Sequence, residues 1–450
     1  MIFSATEPQP AISPDIAPRI VLVDGSNGYR RLIAAFLQAR WPQAVIEQVD
    51  PFSQTMRGPG IAFGTTGDLI VLGGIGTVSE AIAVLKRLQE RVQCPPVILL
   101  VSHSLAAETA SFIAAGAAGV LFKDALSQNA LCQLVTKCLQ PQSDSLAPHA
   151  NAGADGANYG TFTFVQGSEQ ISLDIEGYRC LATLASNPMA QVFYVEDTAN
   201  RERAVIKVPT SSPHNNLNSI ERFCLRFKFV SSLQGQDVVR YLDVGIAGPW
   251  PYEVLEYLAG GDLRSWIKPD TLVGWHVETL CKLAKALTTL HAGQLAHLDL
   301  KPENIFFRKS TASGDTPGDE LVLIDFNIST PFGGIAKSPL NAQVLGTPAY
   351  MSPEQGQGLA VDGRSDLYSA GVIFYEMLTG EKPYTAKNDT ELLFRHIHDE
   401  IPLLPMRIRR FQPIIDSLMA KHPDERFASG AELAAALQPF LTDAGAAAAP

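Results

Sequence analysis

The chain has 450 residues, of which 46% are hydrophobic and 18% are charged. This length exceeds one ordinary domain, and the apolar content excludes wholesale disorder, so we expect two or more globular domains. The 35 basic and 46 acidic side chains give a formal net charge of −11, which disfavours nucleic acid and anionic membranes as partners.

The spacing of the cysteines indicates a reducing compartment. Six cysteines are scattered along the chain without a C-x-x-C pair, a distribution that favours isolated thiols over zinc sites or disulfide frameworks. The opening MIFSATEPQPAISP lacks the basic and long apolar segments of a secretory signal. No apolar run approaches the roughly 20 residues that span a bilayer. We therefore expect a cytoplasmic protein without membrane insertion.

Residues 1–17 are predicted to be disordered, and residues 18–139 are predicted to form a first domain. Its short apolar runs, interpreted as buried parallel strands, are residues 20–23, 69–72, 97–101 and 120–122. The amphipathic segments between them, predicted as helices, are residues 29–40, 78–92, 108–115 and 129–139. Alternating strands and helices predict a doubly wound α/β domain with a parallel sheet.

Ligands of open α/β sheets bind at the carboxyl ends of the strands, where this sequence places Asp24, Gly73, Ser102 and Lys123. The pattern resembles the flavodoxin-like receiver domain of response regulators. In that family an acidic pair binds Mg²⁺, an Asp accepts the phosphoryl group, and a Ser or Thr and a Lys contact it. Here Gly25 replaces one acid of the pair and Gly73 replaces the acceptor. The resemblance implies a pseudo-receiver that serves as a docking or homodimerisation surface.

A second domain follows a predicted linker. Residues 140–167 are rich in Pro, Ser, Ala, Gly and Asn, as is typical of linkers. Residues 168–441 show β-like segments followed by helical patterns, which predicts a small strand-rich lobe over 168–258 and a large helical lobe over 259–441. Residues 442–450 are predicted to be a frayed tail.

The strongest local motif of the second domain is LAHLDLKPEN, which ends at Asn304. Phosphoryl transfer requires a carboxylate to position and deprotonate the hydroxyl group, an amide to hold Mg²⁺ and a cation for the phosphate. Asp299, Asn304 and Lys301 supply these groups. Further on, LVLIDFN places Asp325 at the end of an apolar strand, where a carboxylate can bind the same metal.

Three further motifs follow in order: GTPAYMSPE ending at Glu354, DLYSAG beginning at Asp366, and HPDERF containing Arg426. Together the motifs resemble the protein-kinase signature set, most closely that of bacterial eukaryotic-like Ser/Thr kinases. The resemblance implies a bilobal α+β kinase fold, ATP and Mg²⁺ as cofactors and a protein substrate. It also implies that Asp366 supports the catalytic loop and that Glu354 pairs with Arg426.

The same resemblance implies nucleotide contacts in the small lobe. Lys207, in RAVIKV, would orient the α- and β-phosphates. Backbone groups of Glu256 and Leu258 would meet the adenine edge. The apolar side chains that would enclose the base, each equally compatible with core packing, are Leu184, Val192, Ala204 and Phe306. Lys301 and Thr347 match Ser/Thr kinases and differ from tyrosine kinases, so the expected acceptor is a protein hydroxyl.

The sequence also departs from the family pattern. Residues 185–191 read ASNPMAQ where a glycine-rich loop is expected, which predicts a weaker nucleotide grip. Arg226 occupies the position of the helix Glu that pairs with the strand Lys. Leu298 replaces the Arg before Asp299, and Asn327 replaces a Gly after Asp325.

Two functions therefore remain open. The intact Lys207, Asp299, Lys301, Asn304 and Asp325 favour a competent Ser/Thr kinase. The lost glycines and Arg226 favour a pseudokinase, a module that binds a partner or a nucleotide without phosphoryl transfer. A phosphorelay function for the first domain is disfavoured by Gly73.

Overall fold

The structure, a computed structural model, describes residues 17–51, 67–74, 77–90, 94–140, 159–166, 169–187, 190–209, 227, 237–268, 272–309, 320–325, 330–331 and 348–446. Arg226, Asn327 and Thr347, which the sequence singles out, lie outside the described residues. The chain divides into two compact units. The first comprises residues 1–232 and 240–256, and the second comprises residues 233–239 and 257–450.

The first unit begins with an α/β domain whose five parallel strands have the order β2-β1-β3-β4-β5, which is the flavodoxin-like order. The strands are β1 Arg19–Val23, β2 Val45–Val49, β3 Leu69–Gly73, β4 Val97–Val101 and β5 Gly119–Phe122. The helices are α1 Asn27–Arg40, α2 Val78–Gln89, α3 Thr109–Ala114 and α4 Gln128–Leu139, with 3-10 turns at His103–Glu108 and Lys123–Ala125. The predicted doubly wound sheet is therefore confirmed.

Hydrophobic layers cover both faces of this sheet. Ile20 and Leu22 of β1 pack on the side of α1 and α4, whereas Val21 and Val23 pack on the side of α2 and α3. Burial on both faces explains why the central strands are continuously apolar. Strand β2 is absent from the sequence prediction because it lies at the sheet edge and most of its side chains are exposed.

The rest of the first unit is antiparallel. A five-stranded sheet has the order β11-β12-β10-β9-β8, and β6 and β7 form a separate hairpin. The strands are β6 Tyr159–Gln166, β7 Glu169–Glu176, β8 Tyr178–Ser186, β9 Ala190–Asp197, β10 Arg203–Pro209, β11 Tyr241–Ala247 and β12 Trp250–Glu256.

Strand β6 corrects the predicted linker, because residues 159–166 of the stretch 140–167 form a strand. The rings of Phe162 and Phe193 meet edge to face at 5.3 Å, and those of Phe164 and Trp250 do so at 5.6 Å. The sequence TFTF alternates polar and apolar side chains at the period of a strand, although the residues before it have the composition of a linker.

The second unit is mainly helical. Its helices are α5 Leu263–Trp266, α6 Val273–Ala292, α7 Pro353–Gln357, α8 Gly363–Thr379, α9 Asp389–His398, α10 Gln412–Leu418 and α11 Gly430–Ala446. Its short strands are β13 Leu295–Ala296, β14 Ile305–Phe307, β15 Leu321–Leu323 and β16 Thr330–Pro331, and its 3-10 turns are Pro302–Asn304, Pro348–Tyr350, Met406–Phe411 and Pro423–Glu425.

Helix α8 is the centre of this unit. Nearly all of its residues are buried, including the polar Ser365, Asp366 and Glu376, as expected for a helix surrounded by other elements. Within the part of the chain that the structure describes, no helix combines the length and apolarity needed to cross a membrane.

Candidate active site

The loop between β13 and β14 carries the predicted catalytic residues of the second unit. Lys301 Nζ lies 2.8 Å from Oδ2 of Asp299, and Asn304 Nδ2 donates to the same oxygen at 3.0 Å. Asn304 Nδ2 also donates to the Asp299 backbone carbonyl at 2.7 Å. The structure therefore brings together the three side chains that the sequence predicts for phosphoryl transfer.

Asp366 of α8 binds the backbone just before Asp299 in this loop. Its fully buried carboxylate accepts hydrogen bonds from the backbone N–H groups of His297 and Leu298 at 2.8 and 2.9 Å, and it contacts His291 Nε2 at 2.8 Å. These bonds confirm the predicted role of Asp366.

Leu298 has a φ of 64°, a left-handed conformation that costs free energy in a residue other than glycine. Gln355 Nε2 donates to its carbonyl at 2.9 Å. Its side chain is buried with Ala296 and Val361. Apolar packing thus occupies the position where many kinases carry an arginine.

Asp325 follows β15, which pairs with β14 directly after the catalytic loop. The N–H of Ile324 donates to the carbonyl of Asn304 at 3.1 Å, so the chain before Asp325 is bonded to Asn304. His297 Nε2 contacts the Ile324 carbonyl at 2.9 Å. Asp325 has a φ of 64°, and such conformations persist where the surroundings impose them, often at functional sites.

The side chains of Asn304 and Asp325 suit Mg²⁺. Because Asn304 uses Nδ2 for its two hydrogen bonds to Asp299, its amide oxygen is the atom left for a cation. No group of three or more His, Cys, Asp or Glu side chains that could hold a metal occurs among the described residues. An amide oxygen and one carboxylate, with phosphate and water oxygens as the other ligands, form the type of site that Mg²⁺ prefers.

The pair of Glu354 and Arg426 is buried within the second unit. The guanidinium contacts both carboxylate oxygens at 2.8 Å, and Ser365 Oγ donates to the carboxylate at 2.6 Å. Burial raises the pKa of Glu354, but the hydrogen bonds and charge of Arg426 outweigh it, and the net pKa is lowered. The predicted structural pair is therefore confirmed.

Lys207 lies in the middle of β10, between Val192 of β9 and Glu253 of β12 in the strand register. Paired residues of neighbouring strands point to the same face of the sheet. Val192 and Lys207, both half-buried, thus share one face, and Glu253, which is only 3% exposed, lies on it as well. Glu253 is not recognisable from the sequence motifs, because motifs do not reveal strand register.

The position of Ala204 corrects its predicted role as a side chain that encloses the base. It lies three residues before Lys207 and therefore points to the opposite face of β10, where it is buried in the core shared with Phe162 and Phe193. Val205, two residues before Lys207, shares the lysine face, and counting by two along the strand would have selected it.

The remaining predicted nucleotide contacts belong to different elements of the two units. Leu184 is 51% exposed in β8, and Glu256 is the last residue of β12. The Glu256 carboxylate accepts from the backbone N–H and the Nε of Arg240, at 2.9 and 3.0 Å, and the Glu256 N–H donates to the Arg240 carbonyl at 3.0 Å. In the second unit, Leu258 is buried and Phe306 is half-buried in β14.

Asp24 and Lys123 meet at the carboxyl ends of β1 and β5 in the α/β domain. Lys123 Nζ makes an ion pair with the fully buried Asp24 carboxylate. A Cβ atom at Gly73 would come within 2.2 Å of Asp24 Oδ2 and 3.2 Å of Lys123 Cε. Ser102 instead caps the following turn through the N–H of Ser104 at 3.4 Å. The site therefore holds an internal ion pair.

Comparison with known proteins agrees with this geometry. The protein kinase domain model matches residues 180–438. The serine/threonine-protein kinases Pkn1 and pkn2 of Myxococcus xanthus are 30% and 32% identical to this chain over 270 and 280 residues. The serine/threonine-protein kinase PknB of Mycolicibacterium smegmatis is 30% identical over 261 residues.

The two Myxococcus matches each cover 59% of this chain, and 38% and 33% of the relatives. The Mycolicibacterium match covers 55% of this chain and 40% of its relative. The chain thus spans less than half the length of these curated relatives. The family model nevertheless covers more than half of this chain, including Lys207, Asp299 and Asp325. The chain belongs to the protein kinase family.

Proposed function

We propose that the chain is a serine/threonine protein kinase that transfers the γ-phosphoryl group of ATP to protein hydroxyl groups. The observation that carries the proposal is the bonded set of Asp299, Lys301 and Asn304. These side chains are held in place before any substrate arrives, and such preorganisation supplies most of the catalysis in phosphoryl transfer. The names of the relatives support the choice of serine and threonine.

In this mechanism the acceptor hydroxyl is positioned by Asp299, which takes its proton as the oxygen bonds to the γ-phosphorus. The bond from that phosphorus to the bridging oxygen breaks, and ADP leaves. The Lys301 ammonium stabilises charge on the transferring group. Asn304 and Asp325 would hold Mg²⁺, which when bound neutralises charge on the phosphates.

Lys207 is proposed to orient the α- and β-phosphates. Glu253 supports this role, because its buried carboxylate lies directly opposite Lys207 in the strand register and offers a counter-charge on the same face of the sheet. Arg226 cannot supply that negative charge. Glu253 thus offers a local alternative to the helix Glu that the family uses.

The β8–β9 turn favours a second candidate function, a nucleotide- or partner-binding module without transfer. The N–H of Asn187 donates to the Ala190 carbonyl at 3.1 Å, and the N–H of Ala190 donates to Asn187 Oδ1 at 2.9 Å. These donors close the turn on itself, whereas in a glycine-rich loop backbone N–H groups bind phosphate.

We further propose that the α/β domain is a receiver-like domain that cannot accept phosphate. Where a receiver domain binds a cation and a phosphate, this domain has an internal ion pair between Asp24 and Lys123. Without a nucleophile at Gly73, the domain would act as a docking or dimerisation module.

A phosphorylation assay with Mg²⁺ and labelled ATP tests the enzyme proposal. The full chain is expected to label itself or a general protein substrate. Asp299→Asn is expected to lower kcat by roughly 10²–10⁴-fold, the usual contribution of a positioned acid or base, while Mg-ATP still raises the Tm. A wild type that raises its Tm with Mg-ATP, but labels nothing and matches the variant, supports the second candidate instead.

A further inference from the structure

The edge of the antiparallel sheet is covered by the α/β domain of the same chain. Strand β11 lies at that edge. The N–H of Ile246 donates to the Leu126 carbonyl and that of Gly248 donates to the Asp124 carbonyl, both at 2.8 Å. Ser127 and Gly245 form an antiparallel bridge. Segment 124–127 therefore lies along β11 and bonds to its backbone, which covers part of an edge that would otherwise be exposed.

Gly245 is the residue that permits this close approach. A Cβ atom at this position would come within 2.7 Å of the Leu126 carbonyl oxygen and 2.5 Å of the Tyr252 ring and hydroxyl. Only a residue without a side chain allows the segment to reach β11 at this distance.

Asp243 of β11 binds the N-terminus of α4. Its carboxylate accepts from the N–H of Asn129 at 3.0 Å, and Asn129 Nδ2 donates to the Leu242 carbonyl at 3.1 Å. Asp243 is only 4% exposed. Burial raises its pKa to about 6 although hydrogen bonds oppose the change, so the group is ionised at neutral pH. An anion at a helix N-terminus is stabilised by the unpaired N–H groups and the helix dipole.

Apolar side chains extend the contact between β11 and the α/β domain to Phe227. Val244 and Ile246 of β11 belong to the same buried core as Phe36 of α1. The Phe227 ring, 2% exposed, lies 5.7 Å from the Phe36 ring and 6.1 Å from the Tyr241 ring, each edge to face. Phe227 directly follows Arg226, which stands where the family expects its helix Glu.

We propose that the α/β domain is a built-in positioning element of the kinase: it docks on β11 through Asp243 and fixes Phe227, which adjoins the position where the family carries its helix Glu. The inference rests on the proposed kinase function. The positioning residues are Asp243, Phe36 and Phe227. Because these residues act on the nucleotide through the small lobe, we expect their replacement to change the KM for ATP.

The test compares KM and kcat of full-length variants. Asp243→Ala and Phe227→Ala are expected to raise the KM for ATP roughly fivefold, about the equilibrium change that loss of one helix cap produces. Phe227→Leu, which keeps an apolar side chain, is expected to restore most of the affinity. Thr77→Ala is the matched control, because it removes the capping box of α2 on the opposite face of the same domain.

Thr77→Ala is expected to lower the Tm about as much as Asp243→Ala but to leave KM unchanged. Equal KM changes in both variants would show a merely structural role and would overturn the proposal.

Hydrogen exchange provides a second measurement that needs no activity. Asp243→Ala should increase exchange at Ile246, Gly248 and the peptide containing Phe227, and Thr77→Ala should not. If the wild type transfers no phosphate, the proposed function fails, and an unchanged Phe227 peptide would separately refute the positioning role.

Discussion

Arg426 is a buried charged side chain of the second unit. Its guanidinium neutralises the buried Glu354. Removing one partner of a buried ion pair leaves an uncompensated charge, which costs more than the pair itself contributes.

Arg426→Leu is therefore expected to lower the free energy of unfolding by about 3–5 kcal/mol, measured by urea denaturation. Arg395→Leu is the control, since Arg395 pairs with Glu391 at 3.0 Å on an exposed helix face and is expected to cost less than about 1 kcal/mol. Similar losses in both variants would contradict the role of burial.

Gly73→Asp places a carboxylate at the phosphate-acceptor position of the receiver pattern. It is expected to destabilise the α/β domain and to gain no phosphate, because its Cβ would collide with Asp24 Oδ2 at 2.2 Å and because Lys123 is already paired with Asp24. Incubation with a small phosphodonor, followed by mass measurement of the intact protein, tests this. A labile phosphate on the variant would show that the site can still open.

At the scale of elements, α6 and α9 each bury a histidine that stays neutral. Burial lowers the pKa of His276 to about 4, and neither of its ring nitrogens has a hydrogen-bond partner. Burial and the charge of Lys421 lower the pKa of His396 to about 3. An exposed histidine of the unfolded chain has a pKa near 6.5.

The free energy of unfolding is therefore expected to fall as the pH drops below about 6.5, because the unfolded chain binds protons that the folded second unit excludes. Between pH 7 and pH 5 each histidine should contribute a loss on the order of 2 kcal/mol. Urea denaturation at the two pH values measures this, and His276→Phe should reduce the dependence. An unchanged dependence would show that His276 is accessible to protons in the folded state.

At the scale of the whole molecule, the first unit joins the α/β domain and the antiparallel sheet through a shared core. Val244 and Ile246 belong to that core together with residues of α1 and α4. Removing residues 1–158 would expose these side chains and the edge of β11. Uncovered apolar strand edges associate with one another.

The truncated chain is accordingly expected to aggregate or to form oligomers at concentrations where the full chain remains homogeneous, as measured by size-exclusion chromatography. Replacing Ile246 by Lys in the truncated chain should reduce this association, since a charge on an edge strand disfavours pairing. A truncated chain that stays monomeric and binds Mg-ATP like the full chain would show that the shared core is dispensable.

The sequence by itself determined the family of the second domain and the fold class of the first. Asp299, Asn304 and Asp325 are recognisable because they stand in two motifs that resemble the protein-kinase signatures in order and spacing. The central strands of the α/β sheet are recognisable because burial on both faces requires continuous apolar runs. Elements without such a local requirement, such as the exposed edge strand β2, were not predicted.

Only the tertiary structure decided which residues that are distant in the sequence lie in contact. The strand register shows that Glu253 lies opposite Lys207 and that Ala204 points into the core. A local motif does not specify how its strand pairs with other strands. The docking of Asp243 on α4 joins residues 114 positions apart, and the ion pair of Asp24 and Lys123 likewise joins distant positions. Such contacts depend on how strands and helices pack, and packing is specified by the whole chain and not by any single segment.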